Sequence, residues 1–227
     1  MARGTHVFAD RKAAGVALGH AARRMRLRSP ITVLALPRGG VPVGYEVARA
    51  LHAPLDVLVV RKIGLPGEPE VAIGAIAAGG VLVQERAAAR YLDTLGVAFQ
   101  GLADAERVEL ERRERAYRAD AAPLQLAGQT VLLVDDGLAT GCTMLAALRA
   151  ARKAGARSVV VAAPVASQEA TALVGREADA MLVLETPPDL FAIGQWYENF
   201  GQVEDAEVCS LLTRHRETVT ETSILDA

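Results

Sequence analysis

Two adjacent carboxylates, Asp135 and Asp136, follow an uninterrupted apolar tetrad, Val131 to Val134, and open a loop of small residues that runs to Thr143. Residues of these types at this spacing suit a phosphate and a hydroxylated ligand. Backbone N–H groups around Gly137 and Gly141 can cradle an anion. The start of the helix-like run Met144 to Ala154, closed by Gly155, adds partial positive charge. Neighbouring strand residues point to opposite faces, so the two aspartates are expected to do different jobs. One would hydrogen-bond a ligand hydroxyl or sit near a metal. Two further groups carry the opposite charge. Pro37-Arg38-Gly39-Gly40 follows the apolar run Ile31 to Leu36, and Arg61-Lys62 follows Leu55 to Val60.

The elements that must position these groups alternate between strand and helix. Asp10 suits an N-cap, with a helix over Arg11 to Leu27 whose apolar positions are Val16, Leu18, Ala21, Ala22 and Met25. Ser29-Pro30 breaks it. Strands are expected at Ile31–Leu36, Leu55–Val60, Val131–Val134, Ser158–Ala163 and Ala180–Leu184. Helices are expected at Pro42–Leu51, Met144–Ala154 and Gln168–Glu177. Between them, Gly64–Glu70 is a Pro/Gly-rich loop, Val71–Ala77 and Val81–Gln84 read as a hairpin, and Glu85–Leu95 and Leu102–Ala119 read as helices. Pro187-Pro188 ends the sheet, and the tail carries Phe191, Trp196, Tyr197 and Phe200. The fold class is α/β, an open, mainly parallel sheet of about five strands flanked by helices. Ligands of such sheets bind beyond the carboxyl ends of the strands, where both charged loops fall.

Composition narrows the function. The 227 residues are 51% hydrophobic and 23% charged, enough apolar side chain for a sizeable core. A net charge of −2 supplies no global field for nucleic acid. The two cysteines, Cys142 and Cys209, form no metal spacing or disulfide framework, which favours a reducing cytoplasm. Met1 to Asp10 lacks a signal-peptide core, and the apolar run Val71 to Val83 is short of the roughly 20 residues that a membrane span needs. No G-x-x-x-x-G-K-[ST] stands in the chain, and the glycines at 39, 40 and 44 do not have G-x-G-x-x-G spacing. His6, His20, His52 and His215 are scattered, and Cys142 has no histidine beside it to make it a nucleophile.

A hydrophobic strand, two acidic residues, three spacers and Thr-Gly-x-Thr resemble the phosphoribosyl-diphosphate motif of the type I phosphoribosyltransferases. Other stations fall in that family's order. Pro37 to Gly40 resembles its diphosphate loop, and Arg61-Lys62 the basic end of its second strand. Phe8-Ala9-Asp10-Arg11, Pro-Arg-Gly-Gly-Val-Pro-Val-Gly (37–44) and Trp196-Tyr197 resemble one bacterial branch. The resemblance implies one domain over 1–227, with a core at about 28–63 and 121–186. It places a lid in the insert 64–120 and a hood in 1–10 and 187–227.

By the same resemblance, Ala139, Thr140, Gly141, Cys142 and Thr143 would wrap a 5′-phosphate, and Asp135 and Asp136 would take the ribose hydroxyls. Arg38, Gly39, Arg61 and Lys62 would face the diphosphate, and glycine at 39 and 40 would admit close approach and an unusual peptide geometry. Arg38, Lys62 and Asp136 would be the catalytic set, with Trp196 and Val165 beside the base. Mg2+ would enter through the donor and water, with no direct protein ligand. The partners implied are phosphoribosyl diphosphate and a purine or pyrimidine base, with neither nucleic acid nor membrane, in a homodimer. Ala139 stands where 6-oxopurine enzymes carry an acid, which argues against hypoxanthine or guanine. The rival expectation is a regulator that senses the donor or a nucleotide without chemistry.

Overall fold

A computed structural model describes residues 8–118 and 124–225. The first half of the core is α1 (Arg11–Arg23), β1 (Ile31–Ala35), α2 (Gly40–Leu51) and β2 (Leu55–Val57). An insertion follows: β3 (Val60–Leu65), β4 (Glu68–Ala77), β5 (Val81–Gln84), α3 (Arg86–Leu95) and α4 (Phe99–Arg118). The chain then returns through β6 (Thr130–Val134), α5 (Cys142–Lys153), β7 (Ser158–Val165), α6 (Gln168–Val174) and β8 (Ala180–Glu185). A 3-10 turn at Ile193–Trp196 and α7 (Asp205–Leu225) complete it.

The main sheet has five parallel strands in the order β2-β1-β6-β7-β8. Every residue of β6 is buried, which is why its sequence reads as an apolar run rather than an alternation. Leu132 and Val134 join the cluster that includes Leu18 and Val47, from α1 and α2. Leu133 and Val131 join the one built on α5 through Met144 and Leu148. Strand order reverses between β1 and β6, so a crevice opens there beyond their carboxyl ends. The Pro37–Gly40 and Asp135–Gly141 loops meet at that crevice. On one side α1 lies close on α2, because a Cβ on Gly15 would come within 2.8 Å of Val43 O and one on Gly19 within 2.8 Å of Ala50 Cβ.

Four expectations need correction. The strand expected over Leu55–Val60 stops at Val57, and Val60 opens a different, antiparallel sheet of order β3-β4-β5. Arg61 and Lys62 therefore lie within β3 rather than at the end of a core strand. The Pro/Gly-rich segment Gly64–Glu70 is mostly strand, turning at Pro66-Gly67 between β3 and β4. In α1 the buried side is Ala14, Gly15, Leu18, Gly19, Ala21 and Ala22, while Val16 is exposed and the helix ends at Arg23.

The tail's 21-residue α7 has no counterpart in the sequence expectation. It runs back over α2 with Val208, Leu212 and His215 buried, and the His215 Nε2–H donates to Ala53 O at 2.9 Å. Among the described residues no helix is long and apolar enough to cross a membrane. If α7 is an integral part of the core, Leu212→Ala costs about 2–5 kcal/mol of unfolding free energy in a urea titration. A cost near zero would show that α7 is only an attached tail.

Candidate active site

The acidic pair sits where β6 ends. The backbone N–H of Asp136 donates to Asp135 Oδ1 at 2.9 Å, which fixes the first carboxylate. Asp136 is held through both its side chain and its backbone. Arg11 Nε donates to Asp136 Oδ2 at 2.8 Å, and the Tyr197 hydroxyl donates to the Asp136 carbonyl at 2.6 Å. Burial, followed by the neighbouring Asp136 charge, pushes Asp135 well above the usual carboxylate range. Burial also raises Asp136, while the Arg11 hydrogen bond and the charge of Lys62 oppose the rise. Burial keeps the Tyr197 hydroxyl protonated, and therefore a donor.

The Pro37–Gly40 loop lies against this pair. A Cβ on Gly39 would fall 2.0 Å from Asp136 Oδ2, and one on Gly40 would fall 2.7 Å from Val134 O. Only glycine lets the loop approach so closely. The Pro37–Arg38 peptide is cis, one residue before the expected glycines. Arg38 Nη1 lies 3.7 Å from Glu204 Oε2 and 3.8 Å from Asp205 Oδ1, ion pairs long enough to leave it available to another anion. Arg61 and Lys62 diverge, as neighbours on a strand must. Arg61 is committed to Glu106 of α4 at 2.7 Å, whereas Lys62 projects its field onto both aspartates.

On the other side lies the Ala139–Thr143 loop. Gly141 has φ of 81° and caps α5, a left-handed conformation that suits glycine. Leu138 N donates to Val165 O at 2.9 Å, and Ser167 Oγ donates to Ala139 O at 2.6 Å. These bonds fix the loop's inner edge and leave Ala139 and Thr140 exposed. The first N–H groups of α5 have no carbonyl within the helix to meet, which makes this edge receptive to an anion. Cys142 is buried, and its thiol donates to Glu85 Oε1 at 3.0 Å. Burial and that carboxylate push its pKa up to about 12, so it stays a thiol.

The segment that follows β8, expected as part of a hood, pairs with Phe8. Phe8 N donates to Trp196 O at 2.8 Å and Glu198 N to Phe8 O at 2.8 Å. Trp196 and Val165 pack with Phe8, Ala14 and Tyr197 in one small cluster, with Trp196 7% and Val165 0% exposed. Both side chains are committed to packing in that cluster. Ile193 lies over Gly137, where an added Cβ would meet Ile193 Cγ2 at 2.5 Å. The exposed ring nearby in sequence is Phe191.

Thus Asp135, Asp136, Gly39 and Lys62 come together, with Arg38 on the same loop as Gly39 but turned to Glu204 and Asp205, and the Ala139–Thr143 loop continuing from the same strand end. Arg61, Trp196 and Val165 do not join them. Sequence reasoning assigned no role to Arg11, Tyr197, Glu85, Ser167 or Ile193. Arg11 and Tyr197 stood only within the branch signature, and the other three carry no spacing that marks them.

The family model described as "Phosphoribosyl transferase domain" matches residues 9–198. The chain belongs to this family, that of the type I phosphoribosyltransferases. Two Mycobacterium tuberculosis proteins, both provisionally named phosphoribosyl transferase, are 41% identical over 221 residues, covering 97% of this chain. The chain spans about half the length of these curated relatives, 50% in each case. The crystal structure of TT1426 from Thermus thermophilus matches with a TM-score of 0.75 and 43% identity, over 92% of this chain and 98% of that one. A Mycobacterium marinum adenine phosphoribosyltransferase is 44% identical over 77 residues, 32% of this chain and 40% of its own length.

The raised Asp135 predicts a pH effect in this family member. The folded protein keeps a proton that the unfolded chain releases above about pH 4. Stability therefore falls as pH rises from there through the higher folded value. Asp135→Asn retains an acceptor for the Asp136 N–H and removes the titration. It is expected to raise Tm at neutral pH, by about 2–4 °C for each kcal/mol relieved, with the gain vanishing towards about pH 4. A variant melting lower than wild type at neutral pH would contradict the burial argument.

Proposed function

We propose that the protein transfers a 5-phosphoribosyl group from phosphoribosyl diphosphate to a nitrogenous base and releases diphosphate. The observation carrying this reading is the placement of the largely enclosed, half-buried Asp135–Asp136 pair between two loops suited to anions, at the strand-order reversal of the sheet. A ligand with phosphate at one end, a cis-diol in the middle and diphosphate at the other matches that order of groups. The amides and hydroxyls of Thr140 and Thr143 take the 5′-phosphate. The aspartates accept from the 2′- and 3′-hydroxyls, and the bond to Asp136, whose charge Arg11 supports, is charge-assisted. Arg38, the Gly39 N–H and Lys62 face the diphosphate.

In the reaction, a lone pair on the base nitrogen forms a bond to ribose C1 as the C1–O bond to diphosphate breaks. The electron pair of that bond leaves with the diphosphate. C1 acquires oxocarbenium-like character, so the protein's work is positioning, charge stabilisation and exclusion of water. A nitrogen that bears a proton must release it, and Ala139 cannot accept it. A base that loses its proton to solvent or to diphosphate therefore suits this site better than hypoxanthine or guanine.

Among the described residues no three His, Cys, Asp or Glu side chains gather into a metal-sized group. The aspartates beside a diphosphate site nevertheless suit Mg2+, which commonly combines one or two carboxylates with substrate phosphates and water. Asp135 and Asp136 would hold it through water and the sugar hydroxyls, and it would neutralise diphosphate charge. The β3–β4 hairpin supplies a lid. β4 pairs with β5 only over Gly74–Ala77, leaving the two-stranded arm beyond it thin enough to move.

A donor sensor on the same fold is the second reading. It is favoured by the commitment of Arg61 to Glu106 and by the carboxylates of Glu204 and Asp205 near Arg38. Diphosphate release from phosphoribosyl diphosphate and Mg2+, screened over purine and pyrimidine bases, separates the two. The transferase gives base-dependent release; a sensor binds the donor and releases none. In either case Asp135→Asn with Asp136→Asn is expected to weaken donor binding by roughly 100-fold or more, from the loss of bonds worth about 1.5–3 kcal/mol each, while the protein stays folded. Donor binding that survives would disprove the diol assignment.

A further inference from the structure

Arg11 makes three contacts that converge on the acidic pair. Its Nε meets Asp136 Oδ2 at 2.8 Å, its Nη1 donates to Gly201 O at 2.7 Å, and its Cζ lies 3.8 Å from the centre of the Phe200 ring. The Phe200 ring lies 4.9 Å from that of Tyr197, whose hydroxyl returns to the Asp136 carbonyl. The contacts therefore form a closed circuit from Asp136 through Arg11, Phe200 and Tyr197 back to Asp136. Its base is fixed: Arg11 opens α1, whose N-cap Asp10 accepts from Ala13 N at 2.7 Å and whose glycines seat it on α2. The side chain is 12% exposed, with Nε and Nη1 each donating and the guanidinium lying over the Phe200 ring.

We propose that Arg11 is a positioning residue for the donor's ribose end: it fixes the Asp136 carboxylate for the sugar hydroxyls and ties hood segment 199–201 down over it. The inference rests on the reading of Asp135 and Asp136 as the diol-binding pair. Lysine could not replace it, because a point charge does not stack on a ring while donating in two fixed directions.

The electrostatics give the test. The charged and titratable groups facing Asp136 are Asp135 on its own loop, Arg11 from α1, Lys62 from β3 and Tyr197 from the hood. Removing the guanidinium leaves the effect of burial opposed mainly by Lys62. Asp136 then keeps its proton to higher pH, where it cannot accept as a carboxylate.

The experiment is calorimetric titration of Mg2+ and phosphoribosyl diphosphate into wild type, Arg11→Gln, Asp136→Asn and the double variant, between about pH 5 and pH 8. The donor's own titration is common to all four, so differences between the profiles belong to the protein. Arg11→Gln is expected to move the pH of half-lost affinity upward, and to weaken binding about tenfold at neutral pH. In the Asp136→Asn background the same change adds less than about threefold, because its partner is already gone.

An unshifted profile, with affinity lowered equally at every pH, would mark Arg11 as merely structural and overturn the proposal. So would full additivity in the double variant. Wild type that binds no donor at any pH would overturn the donor reading and this inference with it. Should Arg11→Gln fail to fold, Phe200→Ala tests the hood arm, since it leaves both ionic partners in place. It is expected to speed donor dissociation at all pH values without moving the profile. An unchanged dissociation rate would contradict the tie.

Discussion

Burying two neighbouring carboxylates at the end of a central strand is unfavourable, and much of the surrounding structure answers that cost. Desolvation penalises each charge, and at Asp135 the neighbouring Asp136 charge adds to it. The compensation comes from separate parts of the chain: the Asp136 amide for Asp135, Arg11 for Asp136, and Lys62 for both. Removing one partner of such a buried pair generally costs more than the pair contributes, because the other charge is left without a counterpart. A site used only for stability would have little reason to place carboxylates here. A site that must accept two hydrogen bonds from a sugar does.

The same constraint explains the shape of the neighbouring loops. Gly39 and Gly40 lack side chains because Asp136 Oδ2 and Val134 O occupy the space where a Cβ would lie. Hood and core are coupled for a related reason. The hood reaches the acidic pair through the Tyr197 hydroxyl and through Arg11, and Ile193 covers Gly137. The insertion touches the site by two routes, Lys62 on β3 and the Glu85 carboxylate that accepts from Cys142. Movement of either the hood or the insertion would therefore be felt at the loops that face the ligand.

Much of this was legible in the sequence where local pattern and burial agree. Val131–Val134 could be read as a central strand because burial on both faces demands an apolar run. The Asp-Asp and Thr-Gly-x-Thr residues carried their chemistry in their order. What failed was whatever depends on partners distant in the chain. Nothing local shows that the backbone changes sheets after Val57, and so nothing showed that Arg61 would turn to Glu106. Nor does anything local show that Trp196 packs with Phe8, Ala14 and Val165. α7 escaped notice because its buried positions, such as Val208, Leu212 and His215, are diluted by charged and hydroxyl residues. Arg11 was visible only as a member of a signature, since its partner lies 125 residues away.

One ligand that spans both loops would leave its mark on each of them in amide 1H–15N spectra. Phosphoribosyl diphosphate is expected to shift the signals of Ala139 to Thr143 together with those of Arg38 to Gly40. Ribose 5-phosphate should move mainly the first group and inorganic diphosphate mainly the second. Shifts from the complete donor confined to one loop, or absent from both, would contradict the account.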